Sequence, residues 1–232
     1  MILAFETSAK AASVAVMDQG VLLGESYQNT GLTHSQTLLQ MAQDLLKQLG
    51  KQPSDVTAVA VAAGPGSFTG VRIGVAAAKG FAWGGSLPCY GASTLESMAL
   101  ALGIQEGYIC PVMDARRNQV YNALFYVNRG VVERRCEDRA IALEDLQKEL
   151  QTLEGPIFLV GDGSNLCHRM LHEQVSALIL PPEHRLHQRA CGVAMAAEAM
   201  MARGESGDAN ALAPNYLRLS QAERERLARE QK

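Results

Sequence analysis

The chain has no excess of basic residues: 21 Lys and Arg stand against 24 Asp and Glu, for a net charge of −3 and a pI near 6.0. Phosphate neutralisation dominates nucleic-acid affinity, so this balance excludes a stand-alone nucleic-acid binder; any such link is expected to run through a partner. The five cysteines (Cys89, Cys110, Cys136, Cys167 and Cys191) are odd in number and form no C-x-x-C pair. That argues against a disulfide framework and a Cys-rich zinc site, and for reduced thiols in a cytosolic protein. No window offers the roughly 18 uninterrupted apolar residues a membrane helix needs. The opening MILAFETSAK lacks a cationic stretch followed by a long apolar one. The expectation is a soluble, cytoplasmic protein with no membrane partner.

Motifs for catalysis are equally scarce. A Walker loop, G-x-x-x-x-G-K-[ST], would need Lys-Ser/Thr where Val71-Arg72 stand. There is no G-x-S-x-G elbow, no Cys/His nucleophile pattern and no pair of catalytic carboxylates. His168 and His172 have the i, i+4 spacing of zinc proteases, but Arg169 replaces the required Glu, so they read as a surface pair. His184 and His187 flank a loop and carry no expected role.

What is present is a soluble globular balance, with 47% hydrophobic and 19% charged residues over 232 positions. Residues 2–5, 13–17 and 21–26 read as strands, the last two joined by the hairpin turn Asp18-Gln19-Gly20. Thr33 can cap a helix whose apolar positions Leu38, Leu39, Met41, Ala42, Leu45, Leu46 and Leu49 have helical spacing, with Gly50 at its stop. Residues 56–62 are a continuous apolar run, as in a strand buried on both faces. Gly64-Pro65-Gly66-Ser67-Phe68-Thr69-Gly70 then turns into a helix over 71–83, followed by a strand at 87–90 and a helix at 94–102.

The second half repeats this: strands at 108–113, 120–127 and 131–136, a helix at 143–150, a strand at 156–160, a helix at 163–172, a strand at 175–180 and a helix at 189–203. Two successive β-β-β-α units point to a duplicated α/β fold. The Gln105-Glu106-Gly107 turn divides lobes 1–104 and 105–232; the sequence leaves two placements open for the last helices, on the second lobe or packed back on the first after Pro182. The charged tail 221–232 reads as a solvated helix extension or a frayed end.

The 64–70 turn has two readings. Its amides could face an anion at a helix N-terminus, or its glycines could simply permit close packing and positive φ. Glu6-Thr7-Ser8 closes the first strand, and Asp114-Ala115-Arg116-Arg117 follows the corresponding strand of the second lobe. Asp114 could act as a general base, or it could cap its turn or pair with an arginine. The helix over 71–83 is loaded with small residues, among them Gly74, Ala76, Ala77, Ala78 and Gly80. Glycine inside a helix costs up to about 1 kcal/mol relative to alanine, so something approaches that backbone closely. Either the chain's own sheet or a second protein would do so.

Four segments, Ile2-Leu3-Ala4-Phe5-Glu6-Thr7-Ser8, Ala63-Gly64-Pro65-Gly66-Ser67-Phe68-Thr69-Gly70-Val71-Arg72-Ile73-Gly74, Met113-Asp114-Ala115-Arg116-Arg117 with Val120-Tyr121, and Pro214-Asn215-Tyr216-Leu217-Arg218, resemble in sequence and order those of the TsaB (YeaZ) family. The resemblance implies the actin-like, Hsp70 and sugar-kinase (ASKHA) fold, with two lobes that each hold a mixed sheet flanked by helices. It also implies a non-catalytic subunit that binds and activates TsaD. That enzyme transfers threonylcarbamoyl from its adenylate to N6 of the tRNA adenosine next to the anticodon. TsaE, an ATPase, is a further expected partner, tRNA is reached only through the complex, and homodimers are expected when TsaD is absent.

The implied partner surface lies on the two first-lobe helices, with His34, Leu38, Met41, Leu45, Arg72, Gly74, Val75, Ala78 and Lys79 as its candidates. No cofactor is expected on the isolated chain. ATP or ADP is expected only in the complex, against Gly64, Pro65, Gly66 and Ser67. No catalytic residue and no metal are expected either. The phosphate turn Glu6–Ala12 of this chain has no glycine, unlike that of actin-like kinases, and where TsaD-like proteins carry H-x-E-G-H this chain reads Thr94-Leu95-Glu96-Ser97-Met98. These losses count against the alternative, a phosphotransferase or peptidase acting on its own.

Overall fold

Strand β1 (Ile2–Glu6) lies at the centre of the first of two sheets and is buried along its whole length. It pairs antiparallel with β2 (Ala12–Asp18), which pairs antiparallel with the edge strand β3 (Val21–Gln28). On its other side β1 pairs parallel with β4 (Ala58–Gly64), and β4 with β5 (Cys89–Ser93), giving the order β3-β2-β1-β4-β5. The crossovers place α1 (His34–Gln48) and α2 (Phe68–Gly85) on one face. There Leu38, Met41, Leu45, Val71, Val75 and Ala78 close a core with Leu3, Phe5, Val14 and Val61. The computed structural model describes residues 1–104 and 106–218; Gln105, the expected lobe boundary, and the tail 221–232 lie outside the described residues.

Helix α3 (Thr94–Leu102) leads into the second sheet, and its Leu95, Met98, Ala99 and Leu102 pack on Ile109, Met113 and Phe125 of that sheet. The strands are β6 (Glu106–Arg116), β7 (Gln119–Asn128), β8 (Val131–Ala142), β9 (Ile157–Val160) and β10 (Leu178–Ile179), in the order β10-β9-β6-β7-β8. This is the strand order of the first sheet again, so the duplication inferred from the repeated β-β-β-α pattern is a duplication of topology. Helices α4 (Leu143–Leu150) and α5 (Ser164–Leu171) cover its outer face with Leu146, Leu150, Cys167 and Leu171. The architecture is the two-lobe ASKHA fold.

After the double proline the chain returns to the first sheet. Helix α6 (Ala190–Ala202) lays Ala190, Val193, Ala194 and Ala197 against Ala4, Ala15, Ala60 and Ala62 on the face opposite α1 and α2. Its first amides are satisfied from that sheet: Ala190 N donates to Ser13 Oγ at 2.7 Å and Cys191 N to Glu25 Oε1 at 3.1 Å, a carboxylate at the positive end of a helix.

Several bounds differ from the sequence expectation for identifiable reasons. Helix α2 starts three residues early because Ser67 caps it, its Oγ accepting from Gly70 N. Strand β8 runs on to Ala142 because it stays paired with β7 to its end, Ala142 opposite Gln119, and its charged residues, including Arg134, Glu137 and Arg139, sit on a sheet edge where charge is tolerated. Strand β10 shrinks to Leu178–Ile179.

The placement of the interface candidates needs a larger correction. Leu38, Met41, Leu45, Gly74, Val75 and Ala78 all point into the first core; Leu38 is 1% exposed and Ala78 0%. They are the apolar stripes by which α1 and α2 bury themselves, and no partner meets them while that core is intact. Outward positions are their helical neighbours, such as Leu39, Ala76 and Gly80.

Ala78→Glu is therefore expected to abolish folding or lower Tm by roughly 10 °C or more, because it buries an unpaired charge. Ala76→Glu, two residues along the same helix, is expected to leave Tm within about 2 °C. Thermal denaturation of both variants distinguishes these positions.

Candidate functional site

Four loops from the carboxyl ends of β1, β4, β6 and β9 meet between the lobes, where open α/β folds place their ligands. With the C-terminal segment they enclose a cleft of about 650 Å³. Ser8 and Lys10 line it from the first loop, Pro65–Thr69 from the second, Asp114 and Arg116 from the third, and Asp162 from the fourth.

The glycines of the second loop are there for packing. A Cβ on Gly66 would lie 2.5 Å from the Ser8 carbonyl oxygen, and Cβ atoms on Gly70 and Gly74 would collide with Thr7. At Gly64, with φ +120°, a side chain would meet the backbone of Asn215. The amide of Ser67 donates to the Ser8 carbonyl at 2.6 Å, and Gly70 N to Ser67 Oγ at 3.3 Å. Thr7 Oγ1 donates back to the Gly70 carbonyl at 2.8 Å. Thus the donors that would cradle an anion at the start of α2 already face protein acceptors at Ser67 and Gly70. The tight-turn reading of Gly64, Pro65, Gly66 and Ser67 is the one this geometry supports. The Gly64–Pro65 peptide is cis.

Three carboxyls approach the cleft, in different states. Glu6 is fully buried at the end of β1, and burial pushes its pKa from the ordinary 4.5 to about 7, against the lowering effect of the Ser8 amide, which donates to Oε1 at 2.5 Å; the charge of Asp162 raises it further. Among the described residues its second oxygen has no partner. Asp162 reaches solvent on the cleft side and is packed against protein elsewhere. That desolvation raises its carboxyl, opposed by Gln188 Nε2 at 3.2 Å. Asp114 is exposed and accepts from the Arg116 amide at 2.7 Å. It caps its own turn, the second of the roles open to it from sequence. The cysteines are all unpaired, and burial pushes Cys89 and Cys191 up to about 11, far from nucleophilic use near neutrality.

Thr94 and Met98 are buried on α3, and Glu96 pairs with Arg134 at 3.2 Å. Among the described residues no group of three His, Cys, Asp or Glu side chains is arranged to hold a metal ion. His168 and His172 stack with ring centroids 5.1 Å apart, and His172 Nδ1 lies 2.9 Å from the His168 carbonyl. Among the described residues no helix is long and apolar enough to cross a membrane.

The other surface candidates fall into place on α1 and α2. His34 is half-buried, its Nε2 2.8 Å from the Ala9 carbonyl, so it ties the start of α1 to the first cleft loop. Arg72 and Lys79 lie on the outer side of α2, and both hold the C-terminal segment. Arg72 Nε donates to Tyr216 Oη at 2.8 Å, and Lys79 Nζ to the Leu212 carbonyl at 2.9 Å. Beside them Thr69, Ala76, Gly80 and Gly84 form an open stripe, and a Cβ added at Gly80 or Gly84 would meet nothing within 4 Å among the described residues.

Two features were missed at the sequence level. Asp162 sits in Gly161-Asp162-Gly163-Ser164, which echoes Gly64-Pro65-Gly66-Ser67 in the other half, so aligning the two halves would have marked it. The segment at 207–218 has no periodicity to announce it, because its contacts come from side chains and isolated backbone groups.

The family model described as "TsaD: tRNA N6-adenosine threonylcarbamoyltransferase" matches residues 28–226. The chain is 30% identical over 223 residues to the tRNA threonylcarbamoyladenosine biosynthesis protein TsaB of Bacillus subtilis, covering 96% of each chain. It is 36% identical over 165 residues to the Escherichia coli TsaB, covering 70% of this chain and 71% of that one. A Pseudomonas aeruginosa crystal structure, described as an uncharacterized protein with similarity to peptidase YeaZ, superposes with a TM-score of 0.74 at 27% identity, covering 94% of this chain and 99% of that chain.

The buried Glu6 makes stability depend on pH. The native chain keeps a proton that the unfolded chain releases above 4.5, so this contribution is complete below that value and is lost as pH rises through about 7. Glu6→Gln is expected to gain in Tm relative to the parent between about pH 5 and pH 8. Parallel Tm curves across that range, by scanning calorimetry, would show Glu6 to be ionised throughout.

Proposed function

This chain belongs to the TsaB (YeaZ) family of tRNA threonylcarbamoyladenosine biosynthesis proteins, and we propose that it serves there as a non-catalytic subunit that binds and activates TsaD. The observation that carries this reading is the outward face of α2. Gly80 lies in the interior of an 18-residue helix, where glycine costs about 1 kcal/mol relative to alanine, and among the described residues no atom comes within 4 Å of where its Cβ would stand. We take the reason for this glycine to be a partner. With exposed Ala76 and Thr69 beside it, it lets a second helix approach the α2 backbone closely. Exposed Leu39 of α1 and Trp83 of α2, at 55% and 57%, supply apolar anchors.

The cleft supports the non-catalytic half of the reading. Its first loop turns Ser8 into the glycine loop, where an actin-like kinase would hold phosphate, and Asp114 is engaged with its own backbone. Reaction at N6 of the adenosine next to the anticodon then belongs to TsaD, with TsaE as the ATPase of the complex. The acidic net charge agrees with tRNA being bound through the partner. In the absence of TsaD the same α2 face serves for pairing with a second copy. The phosphotransferase and peptidase readings gain no support from this geometry.

The test is a pair of substitutions at one position. Gly80→Ala is expected to raise Tm by about 2–4 °C, since it removes a helix penalty without a clash, and to weaken TsaD binding. Gly80→Arg is expected to leave the fold intact and weaken binding by about 100-fold or more in calorimetric titration. Unchanged affinity in both variants would remove α2 from the interface.

A further inference from the structure

We infer that residues 207–218 form a latch that couples the outer face of α2 to the opening between the two lobes. One end is fixed along α2 and β5. Cys89 N donates to the Gly207 carbonyl at 3.2 Å, Trp83 Nε1 to Asn210 Oδ1 at 3.2 Å, and Lys79 Nζ to the Leu212 carbonyl at 2.9 Å. The Leu212 side chain packs on the first core, and Asn215 N donates to the Ala63 carbonyl at 2.6 Å. Tyr216 stacks on Phe68 with centroids 4.5 Å apart, and the Arg72 guanidinium lies 3.9 Å from the Phe68 centroid. Two residues later the chain crosses the cleft, where Arg218 Nη1 donates to the Ala115 carbonyl of the second lobe at 2.6 Å.

The acceptor at the far end lies beside the β6–β7 hairpin turn. Arg117 and Asn118, both with φ 56°, are the two central residues of that turn, which calls for positive φ at both, and Arg116, φ 62°, precedes them where the register shifts after Asp114. Asp114 accepts from the Arg116 amide on one side of this irregularity, and Arg218 donates to the Ala115 carbonyl on the other. Phe68, Arg72, Lys79 and Trp83 recur at helical spacing, so they share one side of α2, adjacent to the open stripe of Ala76 and Gly80. A helix docking on that stripe touches the side chains that hold the latch. This coupling to a partner rests on the reading given above for α2; the latch itself does not.

Hydrogen exchange read by mass spectrometry on the full chain tests both parts. Arg218→Ala is expected to speed exchange about ten-fold in peptides covering 114–119 and 207–218, while β1 and β4 stay protected, and Arg218→Lys is expected to restore part of that protection. Arg72→Ala, whose ring and hydroxyl partners are all in the first lobe and the latch, is expected to speed exchange in 114–119 as well. Wild-type exchange at 114–119 in both alanine variants would overturn the latch. With TsaD bound at saturation the same turn is expected to gain protection; bound TsaD with that turn unchanged would overturn the coupling. A chain that does not bind TsaD at all would refute the function proposed above, whereas the latch is decided by the two variants without any partner.

Discussion

Everything at the functional end of this molecule depends on the contact between the turn after β1 and the start of α2. Thr7 and Ser8 are buried, and their carbonyls fill the space that Gly66 and Gly70 leave open. In that dry site the bonds from Thr7 Oγ1 to the Gly70 carbonyl and from Ser67 N to the Ser8 carbonyl have no competing water, so they hold the N-terminus of α2 in one place. Position and tilt of α2 decide in turn where its outer stripe points, how its far side receives the C-terminal segment, and how wide the cleft stands. Replacing any of these glycines would push α2 away from the sheet.

The same contact shapes the cleft. In a doubly wound unit the loop after the first strand and the glycine loop after the next parallel strand are the two places where backbone can meet a ligand. Here they meet each other. What remains is a polar groove in which Glu6 is buried with one oxygen unpartnered among the described residues, Asp114 is engaged in its own turn and Asp162 stands at the rim. A site built for chemistry would aim such groups at a reacting atom. Here Glu6 and Asp114 accept from the chain's own amides, and Asp162 from the side chain of Gln188.

The order of elements and the duplication were legible because each depends on periodicity within a short window: the continuous apolar run of β4, the helical spacing of Leu38, Met41 and Leu45, and the agreement at α3 to the residue. Which side of a helix meets the sheet is a tertiary fact. On α2 the run Ala76-Ala77-Ala78 carries no contrast of size or polarity, so Ala76 cannot be told from Ala78; only burial separates them. Gly74 and Gly80 illustrate the same ambiguity, since a Cβ on Gly74 would collide with Thr7 whereas one on Gly80 would meet nothing among the described residues. The Pro214–Arg218 segment was recognisable as a family mark but not as a structural one. Its partners, Ala63, Phe68, Arg72 and Ala115, are all about a hundred residues or more away in sequence.

The most direct measurement is reconstitution by omission. TsaD and TsaE are given ATP, threonine, bicarbonate, the adenylate-forming enzyme and unmodified tRNA, with and without this protein, and threonylcarbamoyladenosine is quantified. The account predicts that yield collapses without the protein and is restored equally by the parent chain and by Asp114→Ala, since the activating surface is on α2 and no chemistry occurs at that carboxylate. Full yield without the protein would contradict its role as an activating subunit, and restoration by the parent but not by Asp114→Ala would contradict the claim that it is non-catalytic.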